Sequence, residues 1–214
     1  VFSQSPSIAI DPFFQLTKDP IGKKDFCLIF QETSDSFFEN RMPKLLGLKC
    51  QLAFIDGMHL FEYALKDFIN LAKISSKRAL FLFHDPIPWT FEMTSRNYKT
   101  KKLHLGKSDP WTGDIWKLVH IFIEAGLKNN ISLLSSAPSG ILAVMNPDKK
   151  SITKLEQDYD KICSKWINVE LNENNILNFY ETDILTKPEK YLRSLEQMSF
   201  GDEVVNISKE SVSQ

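Results

Sequence analysis

Long apolar runs and paired cysteines are both missing from this sequence. No stretch approaches the roughly 18 consecutive apolar residues that a membrane-spanning helix needs, so we expect no membrane association. The three cysteines, Cys27, Cys50 and Cys163, are an odd number and show no CxxC spacing. Free thiols of this kind are typical of a reducing compartment, and we therefore expect a cytoplasmic protein.

An excess of charge of either sign is also missing. The 26 basic and 27 acidic residues leave a formal net charge of −1 over 214 residues. Such a chain has no field that would draw it to nucleic acid or to an anionic membrane, so we expect neither as a partner. The hydrophobic content of 43% is that of an ordinary globular protein, and the length suffices for one α/β domain with appendages. A homo-oligomer is left open.

Glycine is scarce, and the eight glycines form no GxG or GxGxxG motif. In α/β folds that bind nucleotides, such a turn lets the backbone approach the cofactor closely. A phosphoryl or glycosyl transferase that uses paired acids and Mg²⁺ is an alternative function. The absence of a glycine-rich loop that would bind phosphate argues against it.

Two apolar segments that stop abruptly on Asp and His are the most informative feature present. Leu52 to Ile55 is followed by Asp56-Gly57-Met58-His59, and Ala79 to Phe83 is followed by His84-Asp85. Between them, apolar residues recur at helical spacing from Leu60 to Ser75. A strand–helix–strand unit brings the carboxyl ends of both strands to one edge of a parallel sheet, where ligands bind in open α/β folds.

The alternation of strands and helices along the chain predicts a doubly wound, mostly parallel, Rossmann-like α/β sheet. Further strands are expected at Ser7 to Ile10, Asp25 to Phe30, Ile131 to Leu134 and Ile141 to Met145, and further helices from Ser34 or Asp35, over Ile115 to Ala125, Ser151 to Trp166 and Tyr191 to Phe200. The last two strands are close in sequence and predict an antiparallel pair at the sheet edge. Residues 1–148 would form the domain, 149–200 a helical extension and 201–214 a disordered tail.

The motif Ile55-Asp56-Gly57-Met58-His59, followed by a helix and then by Phe83-His84-Asp85, resembles a group of class I S-adenosylmethionine-dependent methyltransferases that act on small molecules. The segment from Trp111 to Lys117 fits the same layout, and the resemblance covers about Ser7 to Pro147. It implies a Rossmann-like sheet that ends with one antiparallel strand, S-adenosylmethionine as cofactor, and methyl transfer to an oxygen or nitrogen atom.

The resemblance also implies cofactor-binding residues. Asp11 matches the carboxylate that binds the ribose hydroxyls, although an Asp before a proline can simply end a strand. Ser34 and Asp35 lie where the family flanks adenine, and either residue could equally cap a helix. Asp56 is expected to contribute to the same cofactor site.

Paired acids at two strand ends predict a cation site. Asp56 and Asp85 could share a hard divalent cation such as Mg²⁺, which would bind substrate oxygens and make a hydroxyl more acidic. His59 and His84 could add nitrogen ligands, which would favour Mn²⁺ or Zn²⁺. Alternatively, either histidine could be the catalytic base that deprotonates the acceptor.

A long polar and aromatic connection, Pro86 to Gly113, follows the second of these strands and could cover the acceptor pocket. Trp89, Arg96, Trp111 and Asp114 lie in or beside it. They are candidates for substrate binding because Trp faces and an Arg fork suit an aromatic, sugar or acidic substrate. The aromatic side chains could instead pin the loop to the sheet.

One part of the family pattern is missing. The strand Ser7 to Ile10 matches the family's second strand, so the first strand and its glycine-rich turn would precede Val1. We expect a piece of a longer enzyme; the alternative is a lineage that lost the cofactor loop and became a non-catalytic, Rossmann-like binding or assembly module. A parallel sheet without its central strand would expose apolar edges.

Overall fold

The computed structural model describes residues 4–42, 47–97, 111–172 and 185–197. Within these ranges, strands and helices alternate along the chain. The strands are β1 (Ser7–Ile10), β2 (Cys27–Phe30), β3 (Cys50–Ile55), β4 (Ser75–His84), β5 (Ile131–Leu134), β6 (Ile141–Met145) and β7 (Leu185–Thr186). The α-helices are α1 (Ser34–Asn40), α2 (Phe61–Lys73), α3 (Lys117–Glu124), α4 (Lys149–Gln157), α5 (Tyr159–Trp166) and α6 (Pro188–Gln197). The disordered tail predicted for residues 201–214 lies outside the described ranges.

The described strands form two sheets. The main sheet has the order β3-β4-β6-β5-β7, in which β3 and β4 are parallel and Ile55 lies opposite Phe83. Strand β6 is antiparallel to both β4 and β5, and β7 is parallel to β5. Strands β1 and β2 pair in parallel in a separate two-stranded sheet. The predicted α/β class is therefore confirmed, with a mixed main sheet.

The antiparallel pair β5–β6 has the predicted bounds, but its predicted place at the sheet edge is wrong. Strand β6 lies inside the sheet between β4 and β5, and the short β7 extends the sheet beyond β5. Both β5 and β6 are buried along most of their length, as strands with neighbours on each side are. A two-residue strand in a polar segment leaves no periodic signal in the sequence.

The helix predicted from Ser151 to Trp166 is interrupted. Helix α4 ends at Gln157, because the next residue, Asp158, leaves the helical region with φ of −92° and ψ of 6°, and α5 begins at Tyr159. The Asp148 carboxylate caps α4 by accepting from the Ser151 backbone N–H at 2.9 Å. Ile152 and Leu155 of α4 pack into the same core as the strands of the main sheet.

The main core lies between one face of the sheet and helices α2 to α5. Phe68 of α2 is fully buried, and its ring centroid lies 5.0 Å from that of Phe81 and 4.9 Å from that of Phe122. Burying each such ring stabilises the fold by roughly 2–3 kcal/mol. None of the helices in the described ranges combines the length and apolar character that crossing a bilayer requires.

The other face of the sheet is only partly covered. Tyr191 of α6 packs on Leu134 and Ala143 of the antiparallel pair. Leu52 and Phe54 of β3, in contrast, are 63% and 57% exposed. Strand β3 therefore presents an apolar face at the end of the sheet, whereas parallel strands are usually covered on both faces.

Candidate metal and active site

The carboxyl ends of β3 and β4 bring Asp56, His59 and Asp85 together. One carboxylate oxygen or ring nitrogen of each lies within 4.8 Å of the others. The parallel register explains this convergence, because residues that follow Ile55 and Phe83 leave the sheet at the same edge. The predicted meeting of the two acidic strand ends is therefore present in the fold.

His84 completes the group, which we call the Asp–His cluster (Asp56, His59, His84 and Asp85). His59 Nε2 lies 3.4 Å from an oxygen of Asp56, and His59 Nδ1 lies 3.2 Å from an oxygen of Asp85. His84 Nδ1 lies 2.9 Å from Asp85 and 3.6 Å from Asp56. Asp85 is only 5% exposed, whereas the other three side chains reach solvent. The cluster is thus buried on the side of Asp85 and exposed to solvent on the other side.

Electrostatics favour the charged forms of His59 and Asp56. Burial opposes protonation of His59, but hydrogen bonds to Asp56 and to the Trp111 carbonyl, with the charges of both aspartates, raise its pKa above 6.5. The hydrogen bond from His59 lowers the pKa of Asp56, against burial and with help from the charges of His84 and His59. Carboxylates paired in this way are ready to bind a cation in place of the proton.

Two residues of the cluster have left-handed backbone conformations. His59 has φ of 53° and Asp85 has φ of 64°. For non-glycine residues this region costs roughly 1–2 kcal/mol each. Such conformations gather at functional sites, where the surrounding structure enforces them, and here they occur at both strand ends.

Asp85 is held by a serine that no sequence pattern singles out. The hydroxyl of Ser139, in the turn between β5 and β6, donates to Asp85 Oδ1, and Ser139 is fully buried. The Ser139 carbonyl in turn accepts from the Ile87 backbone N–H at 2.7 Å. From sequence alone, Ser139 is one of several small polar residues in a turn; only its burial against an acid singles it out.

Trp111, predicted to bind substrate, lies directly against the cluster. Its indole stacks on the His59 ring with centroids 5.2 Å apart and an interplanar angle of 18°. Its carbonyl lies 2.7 Å from His59 Nδ1. Because a carbonyl can only accept, Nδ1 carries a proton and Nε2 faces Asp56. Trp89, the other predicted tryptophan, is 59% exposed.

Arg96 and Asp114, also predicted to bind substrate, meet each other. The Arg96 guanidinium donates to Asp114 and to both oxygens of Glu62. Asp114 is only 1% exposed, and Lys117 donates to it at 2.9 Å. Asp114 also accepts from the Phe61 backbone N–H at 2.8 Å, at the start of α2. These contacts give both residues a structural part, while their contact with a substrate stays a prediction.

The predicted cofactor residues of the N-terminal part contact other groups of the protein. Asp11 is exposed and accepts from the Phe13 backbone N–H at 2.5 Å. Asp35 pairs with Lys66 at 2.8 Å. Ser34 begins α1, which is capped by the Thr33 hydroxyl rather than by Ser34 or Asp35. The binding of ribose or adenine by these residues stays a prediction.

Comparison with known proteins does not assign the chain to a family. No protein-family model and no curated protein matches the chain.

Proposed function

We propose that this protein is a cytoplasmic, S-adenosylmethionine-dependent methyltransferase that acts on an oxygen or nitrogen atom of a small molecule with the help of a divalent cation. The observation that carries the proposal is the convergence of Asp56, His59 and Asp85 within 4.8 Å at the carboxyl ends of two parallel strands. Ligands of open α/β sheets lie in the crevice beyond such ends.

The donor set suits a divalent cation. Two carboxylates supply the oxygen ligands that Mg²⁺ and Mn²⁺ prefer, and the imidazole nitrogen of His59 shifts the preference towards Mn²⁺ or Zn²⁺. The open side of the cluster leaves positions for oxygens of the acceptor. A cation held there would make an acceptor hydroxyl more acidic.

The part of the protein in methyl transfer is mainly to position the acceptor. When bound, S-adenosylmethionine would supply a methyl group on a sulfonium to the acceptor oxygen or nitrogen, with a neutral thioether as the leaving group. The acceptor's proton passes to a base. His84, whose side chain is 27% exposed beside Asp56 and Asp85, is the histidine that we assign to this role. Holding the reactants in line supplies much of the acceleration.

The packing of helices on the main sheet supports a doubly wound, Rossmann-like fold. Helix α3 and helix α6 both contact β5, and they belong to separate apolar clusters. Apolar packing on both faces is what a doubly wound sheet requires. Strand β6, antiparallel to both of its neighbours, agrees with the one antiparallel strand that the methyltransferase resemblance implies, although it lies inside the sheet.

Calorimetry with S-adenosylmethionine, with and without Mn²⁺, tests the proposal. We expect the wild-type protein to bind both Mn²⁺ and the cofactor. Asp56→Asn should weaken Mn²⁺ binding, and Asp11→Asn should weaken cofactor binding. Asp19→Asn is the matched control, because Asp19 also accepts backbone N–H groups in an exposed turn. No heat from millimolar cofactor in folded protein would reject the methyltransferase, and no Mn²⁺ binding would reject the cation.

One observation favours a second function, that of a non-catalytic binding or assembly module. Leu52 and Phe54 leave an exposed apolar face on β3, and β1–β2 forms a sheet of its own. Exposed apolar patches commonly mark protein–protein contacts. A folded protein that ignores both cofactor and Mn²⁺ but self-associates through this face, with Phe54→Lys restoring a monomer, would favour the module over the enzyme.

A further inference from the structure

A network of four charged side chains, two of them buried and two partly exposed, lies next to the Asp–His cluster. We call it the Asp114 network (Glu62, Arg96, Asp114 and Lys117). Asp114 Oδ2 accepts from both Arg96 and Lys117, and Arg96 also binds Glu62. The network joins the start of α2, the segment before α3, and the loop that follows β4. It therefore ties three separate parts of the chain to one carboxylate.

The network is balanced in charge and well satisfied. Two acids face two bases, and Asp114 and Lys117 are each only 1% exposed. The ring of Phe61, fully buried, lies 5.1 Å from Lys117 Nζ and 5.7 Å from the Arg96 guanidinium carbon. Removing one partner of a buried charge pair costs more than a surface pair contributes, because the remaining charge is left without compensation. The network thus has the rigidity that a positioning device needs.

The segment that carries Asp114 also holds His59. The Asp114 backbone N–H donates to the His59 carbonyl at 3.0 Å, and the Trp111 carbonyl accepts from His59 Nδ1. Gly113 has φ of 55°, and a Cβ on it would lie only 1.8 Å from the His59 carbonyl oxygen. Only glycine permits this approach. The backbone and the ring of His59 are therefore both fixed by the segment from Trp111 to Asp114.

We propose that Arg96 is a positioning residue that acts on His59 through Asp114. Arg96 locks the Asp114 carboxylate, Asp114 holds its segment against His59, and the Trp111 carbonyl keeps the proton on Nδ1 so that Nε2 faces Asp56. A partner of this kind fixes the tautomer and the ring orientation of a ligating histidine. The consequence for cation binding rests on the proposed function, whereas the orientation of His59 does not.

The test uses the full chain and two readouts. The four histidines are assigned in NMR spectra by single substitution, and the ring current of Trp111 is expected to move the His59 ring protons to high field. In Arg96→Met we expect this shift to collapse and Mn²⁺ affinity, measured by EPR of the free ion, to fall about tenfold. Arg96→Lys keeps the positive charge but loses the paired N–H donors of the guanidinium. We expect it to cause smaller changes in the His59 signal and in the Mn²⁺ affinity.

Arg41→Met is the matched control. Arg41 also pairs with a glutamate, Glu32 at 2.9 Å, in the segment that follows β2. We expect this variant to keep both the His59 signal and the Mn²⁺ affinity of the wild type. A purely structural role for Arg96 would lower the melting temperature and leave the His59 signal in place.

An unchanged His59 signal in folded Arg96→Met would overturn the positioning role. If Arg96→Met does not fold, Arg96→Lys decides, because a displaced His59 signal is expected there in folded protein. Absence of Mn²⁺ binding in the wild type would reject the cation of the proposed function, and the His59 signal would still decide on Arg96.

Discussion

The carboxyl edge of β3–β4 and the β1–β2 sheet both carry acids at strand ends, yet only the first assembles a site. At the first, Asp56 and Asp85 leave hydrogen-bonded neighbouring strands and share two histidines. At the second, Asp11 is exposed and its carboxylate is satisfied within its own turn. An acid at a strand end becomes part of a cluster when the register of a paired strand delivers a second one.

The same two regions differ in the burial of their apolar side chains. Around β3–β4, aromatic rings interlock and are fully buried, as at Phe68 and Phe81. Beyond β1, Phe13 is 81% and Leu16 is 55% exposed. The first region therefore has a core that can enforce unusual backbone conformations, whereas the second stabilises its turns through local hydrogen bonds.

The largest expected contrast is in stability. Phe68→Ala should lower the free energy of unfolding by about 3–5 kcal/mol, because it leaves a cavity among three other phenylalanine rings. Phe13→Ala should change it by less than about 0.5 kcal/mol, since that ring is mostly in water. Urea unfolding measures both. Equal losses would mean that the two regions share one core.

The next contrast is in cation binding. Asp85→Asn should weaken Mn²⁺ binding by about 100-fold, because it removes the buried charge of the cluster. Asp11→Asn should leave Mn²⁺ affinity unchanged, since its carboxylate is engaged in a local turn. Isothermal calorimetry with Mn²⁺ gives both values. A loss in the second variant as large as in the first would place Asp11 at the cation.

The contact between α1, which follows β2, and α2, which follows β3, should make the stability of the protein depend on pH. Asp67 of α2 meets Ser34 and Asp35 of α1, and burial, with the charge of Asp35, raises its pKa from 3.8 to about 6 despite the Ser34 hydrogen bond. The folded state therefore holds this proton more tightly than the unfolded state does, and stability falls as pH rises from about 4 to about 6. Above that window the loss stays constant.

Asp67→Asn removes this penalty while keeping an oxygen that accepts from Ser34. It should stabilise the protein at pH 8 by roughly 1–3 kcal/mol, and the gain should vanish below about pH 4. Unfolding curves at several pH values check the result. Glu39→Gln, which removes an exposed acid from α1, is the matched control. A gain in Asp67→Asn that is the same at pH 4 and pH 8 would contradict the assignment.

The smallest expected effect concerns the support of Asp85. Ser139→Ala should weaken Mn²⁺ binding by about tenfold, because the Asp85 carboxylate loses the hydroxyl that orients it. Ser135→Ala, an exposed serine in the same turn, should have no effect. Calorimetry with Mn²⁺ separates the two. Equal affinities in both variants would show that Asp85 needs no support from the turn.

Local pattern was sufficient for most of the elements. The apolar runs of β3 and β4 and the helical spacing of α2 predicted a strand–helix–strand unit, and the structure shows its two strands paired in parallel. The break of the helix at Asp158 and the position of β6 inside the sheet did not follow from periodicity. The position of β6 depends on pairing with β4, which is distant in sequence.

The sequence by itself determined which chemistry gathers at the sheet edge, because two neighbouring strands of a short unit each end in Asp and His. Only the tertiary structure decided how those side chains are held. His59 depends on Trp111, 52 residues away, and Asp85 depends on Ser139, 54 residues away. Local periodicity carries no information on such pairs, because they are selected by the packing of loops that the folded core brings together.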